Sequence, residues 1–155
     1  MFTASFESPI GLMKIEADDN YITEIIFTDQ PVESNPNRLT DLAALQLAEY
    51  FASTRNKFDL PLAMPGSDFQ NQVLRLVDEI PFGSTISYLE LSKRYGKPSA
   101  IRAVAAANGK NKLAIVVPCH RVVGSGGSLT GYAWGLRKKE WLLNHEGAIQ
   151  QKLFY

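Results

Sequence analysis

Cys119 is the only cysteine in a chain with two histidines, and one of them, His120, directly follows it. One thiol cannot close an internal disulfide, and with two histidines it cannot build a cysteine-rich zinc site. It is therefore either inert packing or a nucleophile. A thiol becomes nucleophilic when a neighbouring base or cation lowers its pKa, and His120, Arg121 and a helix terminus are the candidates nearby. An imidazole acting as base needs an acceptor to orient it, and Glu146, in Asn144-His145-Glu146-Gly147, could serve. Taken alone, Glu146 also reads as a solvated helix end.

The elements that must position these groups follow from the flanking pattern. Leu113-Ala114-Ile115-Val116-Val117 is a continuous apolar run, which predicts a buried strand delivering the thiol to a loop that continues into Gly124-Ser125-Gly126-Gly127-Ser128. In an extended chain adjacent side chains point to opposite faces, so Cys119 and His120 meet only if the backbone turns sharply after Pro118. Upstream, Ser67 and Gln70 form a capping-box pattern, and Phe69, Val73, Leu76, Val77 and Ile80 fall at helical spacing until Pro81-Phe82-Gly83. A second box, Ser87 with Glu90, opens a helix over Tyr88 to Tyr95. Gly96-Lys97-Pro98 then turns the chain, and Ser99 is the expected cap of a helix from Ala100 to Asn108, closed by Gly109.

Two short helices around a glycine turn, carrying Lys93, Arg94, Lys97 and Arg102, form either a helix-turn-helix or an ordinary αα-hairpin. The second helix reads Arg102-Ala103-Val104-Ala105-Ala106-Ala107-Asn108. One cation followed by very small side chains cannot spell out a base code, but it lets a backbone approach a groove and one arginine enter a duplex. The alanines are as well explained by helix propensity and tight packing.

The first sixty-odd residues show no such chemistry. Phe2, Ala4 and Phe6 alternate with polar residues, and Leu12 to Ala17 and Tyr21 to Phe27 flank Asp18-Asp19-Asn20, which predicts a small antiparallel sheet. Thr40 is the expected cap of a helix with Leu42, Leu45, Ala48 and Ala52 on one face, and Met64-Pro65-Gly66 marks a boundary. The expected fold is α+β: a domain over 1–65 with a small antiparallel sheet and a helix, then a mainly helical domain over 66–155 with the helix-turn-helix.

Composition narrows the function classes. With 155 residues, 45% of them hydrophobic and 21% charged, disorder, collagen and coiled coil are excluded. No apolar stretch approaches a membrane span, and MFTASFESPIG lacks the features of a signal peptide, so an intracellular protein is expected. The net charge of zero conceals an asymmetry: residues 1–80 carry 5 Lys and Arg against 13 Asp and Glu, whereas residues 81–155 carry 11 against 3. A basic half suits contact with phosphates, and it also suits a self-complementary pair of subdomains.

Pro118-Cys119-His120-Arg121-Val122 resembles the active-site signature of the O6-alkylguanine-DNA alkyltransferases, the methylated-DNA–protein-cysteine methyltransferases. Gly66 through Gln70, Pro81-Phe82-Gly83 followed by Ser87-Tyr88, Arg102-Ala103-Val104, Asn111, Gly131-Tyr132, and Glu140-Trp141-Leu142-Leu143 with His145-Glu146-Gly147 are similar to that family in order and spacing. The resemblance covers about residues 66–147. It implies irreversible, stoichiometric transfer of an alkyl group from O6 of guanine in double-stranded DNA to Cys119, without a cofactor or metal, by a cytoplasmic or nuclear monomer that does not engage membranes. It further implies that His120 relays the Cys119 proton through a water, that Glu146 orients His120, and that Asn111 holds the turn. Tyr88 would donate to the departing guanine with Lys139 near it, while Val122, Tyr132 and Ala133 line the base pocket. Arg102 would fill the gap left by the flipped base, and Leu89, Lys97 and Ser125 would contact DNA beside Tyr88. Ala133-Trp134 departs from relatives with a small residue followed by glycine, so a narrowed pocket mouth is expected. The competing readings are a lesion sensor without transfer, which Cys119 argues against, a cysteine hydrolase, for which no oxyanion hole is evident, and a transcription factor, which the alanine-rich helix disfavours.

Overall fold

The computed structural model describes residues 1–149, which fall into two compact units: Met1–Pro65 with Lys112–Ala114, and Gly66–Asn111 with the chain from Ile115 onward. The short segment Lys112–Ala114 therefore groups with the first unit, although the sequence boundary after residue 65 leaves it in the second.

In the first unit β1 (Phe2–Ser8), β2 (Gly11–Ala17) and β3 (Ile22–Phe27) form an antiparallel sheet in the order β1-β2-β3. Period-two alternation sends Met13, Ile15 and Ala17 to the buried face. The other face carries Lys14, whose Nζ lies 2.9 Å from Glu16 and 3.6 Å from Glu24, together with the half-buried Leu12 and Ile26. A register shift at Glu16/Ala17 precedes Asp18, whose carboxylate accepts from the amides of Asn20 and Tyr21 and shapes the turn.

Helix α1 (Arg38–Phe51) covers this sheet, but its cap and face differ from the expectation. Asn37 is the N-cap, and Thr40 sits at N3 as the other half of a capping box. Starting there, the buried stripe is Leu39, Ala43, Leu47 and Tyr50, while Leu45 and Ala48 face solvent. Gln46 shares the buried face because both ends of its amide bond the backbone of Asp59, at 3.0 and 2.9 Å, which satisfies an otherwise costly polar group.

The second unit is built from α2 (Asp68–Asp78), α3 (Tyr88–Tyr95), α4 (Ile101–Asn108) and α5 (Leu136–His145). The Ser67/Gln70 box forms in full at α2, and Val73, Leu74 and Val77 enter the core. At α3 only Ser87 caps, accepting from the Glu90 amide. The Glu90 carboxylate instead lies 3.6 Å from Arg94. Gly96 takes φ +97°, the left-handed conformation that a tight helix C-terminus requires. Ser99 does not cap α4, because Pro98–Ala100 form a 3-10 turn that places Ala100 at the cap position without a side-chain bond.

The largest difference lies before the cysteine. The apolar run 113–117 is not a strand: Leu113 makes one parallel bridge to Ile25, and the rest turns, with Ile115 at φ +71°. Burial accounts for the apolar composition, since Leu113 to Val117 are all buried. After a 3-10 turn over Cys119–Arg121, β5 (Val122–Val123) pairs in parallel with β4 (Ile86–Ser87), a two-residue ladder too short to leave a periodic signal.

Candidate active site

The backbone does turn sharply after Pro118, into a 3-10 turn rather than out of a strand, which brings Cys119, His120 and Arg121 into a single buried turn. Two asparagines hold it. Asn111 Nδ2 donates to Val117 O at 2.8 Å and to Cys119 Sγ at 3.3 Å, and Asn108 Nδ2 reaches Cys119 O at 3.3 Å. Asn108 carried no chemical signal beyond being a polar residue on the buried face of α4.

Cys119 is 3% exposed, and burial pushes its pKa up to about 11 against the favourable Asn111 bond and Lys139 charge. The resting group is thus the thiol. His120 Nε2 lies 2.7 Å from Glu146 Oε2. Because Glu146 is held ionised, its oxygen accepts and Nε2 must carry the proton. His120 Nδ1 is buried and bonds no protein group among the described residues.

Arg121, a candidate for lowering the thiol pKa by its charge, is instead engaged elsewhere. Its Nε donates to Glu146 Oε1 at 2.7 Å, its Nη2 to Oε2 at 3.0 Å and its Nη1 to Ile80 O at 2.7 Å, with its guanidinium 5.8 Å from the Phe82 ring centre. Bonds from His120 and Arg121 outweigh burial and bring the Glu146 pKa down to about 2. The cation affecting the thiol is Lys139, fully buried, whose ammonium donates to the carbonyls of Val122, Thr130 and Gly131 at 2.7, 3.0 and 2.9 Å. Burial lowers its pKa to about 8, so it stays charged at neutral pH.

Tyr88, at the first position of α3, donates to Thr130 O at 3.0 Å, and Lys139 Nζ lies 5.7 Å from its ring centre. Thr130 O thus joins the two, a link that no side-chain motif could reveal. Tyr132 stands edge-on to His120, with ring centres 6.4 Å apart, and edge-on to Trp134 at 5.3 Å. Val122 is buried and Ala133 exposed. A second group is exposed: Leu89, Lys97, Arg102 and Ser125, together with Ala103 and Ala106 on the outer face of α4.

Residues 68–148 match the family described as the 6-O-methylguanine DNA methyltransferase, DNA binding domain. The chain is 44% identical over 144 residues to a methylated-DNA–protein-cysteine methyltransferase of Mycolicibacterium paratuberculosis, covering 88% of this chain and 87% of that protein. The chain belongs to the methylated-DNA–protein-cysteine methyltransferase family. A Methanosarcina acetivorans protein of the same name is 43% identical over 157 residues, covering 96% and 99% of the two chains. The fold is similar to that of the Mycobacterium tuberculosis OGT crystallised in complex with DNA, with a TM-score of 0.87 at 38% identity over 96% of this chain and 94% of that one. Among the described residues no cluster of three or more His, Cys, Asp or Glu could hold a metal, and no helix is long and apolar enough to cross a membrane.

Proposed function

We propose that this methyltransferase repairs DNA by accepting the alkyl group of O6-alkylguanine on Cys119 Sγ, once per molecule. One observation carries the reading: a buried thiol, hydrogen-bonded by Asn111, precedes an imidazole whose far nitrogen is tied to an ionised carboxylate. As the alkyl carbon bonds to sulfur, its bond to O6 breaks and the electron pair leaves with guanine. His120 Nδ1 takes the thiol proton, directly or through one water, and Tyr88 turns its hydroxyl from Thr130 O to the departing base. Lys139 steadies the developing thiolate and ties the loop segments that flank the base pocket of Val122, Tyr132 and Ala133. The thioether product has no acidic proton and is a poor leaving group, so the acceptor is consumed.

The target base must leave the stack, which costs a few kcal/mol, less for a poorly paired alkylguanine. The exposed small-residue face of α4 permits close approach to a groove, and Arg102 fills the gap. Leu89, Lys97 and Ser125 flank that contact. The protein works as a monomer where the genome lies, in the cytoplasm or in a nucleus.

Intact mass and peptide mapping after mixing with a duplex bearing one O6-methylguanine test this. The expected result is one methyl on the Cys119 peptide, at most one per chain, absent with unmodified duplex and with Cys119→Ser. Tight binding without a mass gain would leave a lesion sensor and overturn transfer.

A further inference from the structure

We propose that Arg121 is a positioning residue that keeps His120 an uncharged base, by occupying the Glu146 carboxylate so that it orients the imidazole without drawing a second proton onto it. The proposal rests on the alkyl-transfer reading above. Both Glu146 oxygens are bound by the guanidinium, and Oε2 is shared with His120 Nε2. The side chains of His120 and Glu146 are fully buried, and that of Arg121 is 7% exposed.

A buried carboxylate with an imidazole as its only charged partner would favour imidazolium, because the resulting pair cancels charge within the low-dielectric interior. Imidazolium donates from both nitrogens and cannot accept the thiol proton. With Arg121 in place the carboxylate charge is already matched. The charged groups acting on His120 are then Glu146, Arg121 and Lys139, two cations against one anion, and with burial they hold the ring neutral. Nε2–H is spent on Glu146, which leaves the Nδ1 lone pair for the proton of Cys119. The guanidinium fork fits this task because its remaining nitrogen is anchored on Ile80 O, two residues beyond α2, which fixes the carboxylate in place.

A purely structural staple would alter stability alone, so the experiment reads protonation. Ring-nitrogen NMR shifts of His120, distinguished from the second histidine by His145→Gln, are followed with pH beside single-turnover methyl transfer for wild type, Arg121→Met and Arg121→Lys. Wild-type His120 is expected neutral with its proton on Nε2 at pH 7. Arg121→Met is expected to raise the His120 titration, and with it the acid limb of the rate profile, by about one pH unit or more. Arg121→Lys, which restores the cation, is expected to move both back toward wild type. Imidazolium at pH 7 in the wild type overturns the proposal even if Arg121→Met does not fold, and so does a folded Arg121→Met with both profiles unmoved. Absence of methyl transfer by the wild type would sink the preceding functional reading instead, with the NMR titration still deciding the role of Arg121.

Discussion

Replacing Lys139 by Met should separate stability from chemistry. The substitution keeps the length and packing of the stem and removes the ammonium. The fall of the Lys139 pKa from 10.5 to about 8 corresponds to about 3 kcal/mol disfavouring the buried cation, which Met recovers. Against this stand three hydrogen bonds. The bond to the buried Val122 O is worth about 2–3 kcal/mol as a charged contact, and those to the exposed Thr130 and Gly131 about 0.5–1 kcal/mol each after solvent competition. Thr130 O keeps the Tyr88 hydroxyl. The two sides nearly cancel, so urea unfolding should shift by no more than about 2 kcal/mol at unchanged m-value. The rate of methyl transfer should nevertheless fall by roughly 10- to 100-fold, because a thiol that burial already holds near 11 loses the cation that favours its ionised form. A loss of about 4 kcal/mol or more, or an unchanged rate, would refute the balance as drawn.

The other expected outcomes follow from the same geometry. Trp134→Gly removes the ring set edge-on to Tyr132 and should raise benzyl relative to methyl transfer by about 10-fold, measured in competition between the two adduct duplexes; an unchanged ratio would show that Trp134 does not limit the pocket. Arg102→Ala should slow transfer from duplex DNA by about 10- to 100-fold and leave transfer from free O6-methylguanine base unchanged, since only the duplex requires a filled gap. Stability should decline as pH falls below 6.5, where an unfolded His120 takes a proton that its buried folded form resists, and again from 4.5 toward 2 as Glu146 loses its charge. Thermal melts of wild type and Glu146→Gln across this range would check it, the lower limb being smaller in the variant but not absent, since backbone amides also hold the Asp18 carboxyl below its ordinary range.

The chemistry was more legible than the backbone that presents it. The Ser67–Gln70 box forms as the pattern implies, because its bonds are local, whereas of the Ser87–Glu90 box only the Ser87 half forms. Thr40 and Ser99 misled, since Asn37 and the fixed φ of Pro98 compete for the same helix starts. The run Leu113–Val117 is apolar because it is buried, and burial alone does not distinguish a strand from a turn. Cys119, His120 and Glu146 stood out by type, whereas Thr130 and Ile80 contribute through carbonyls, which every residue has.

Lys112–Ala114 gives the chain a topology that resists dissection. The amide of Ile25 bonds Lys112 O, and the amide of Ala114 bonds Ile25 O, each at 2.8 Å, so the sheet borrows a rung from a segment lying between Asn111 and the cysteine turn. A fragment starting at Gly66 would keep every side chain of the site yet strand that rung, and the first 65 residues made alone would leave Ile25 without either bond. The protein is therefore two units in space but not two modules in sequence: no single cut releases either one intact, and the thread joining them ends five residues before the nucleophile.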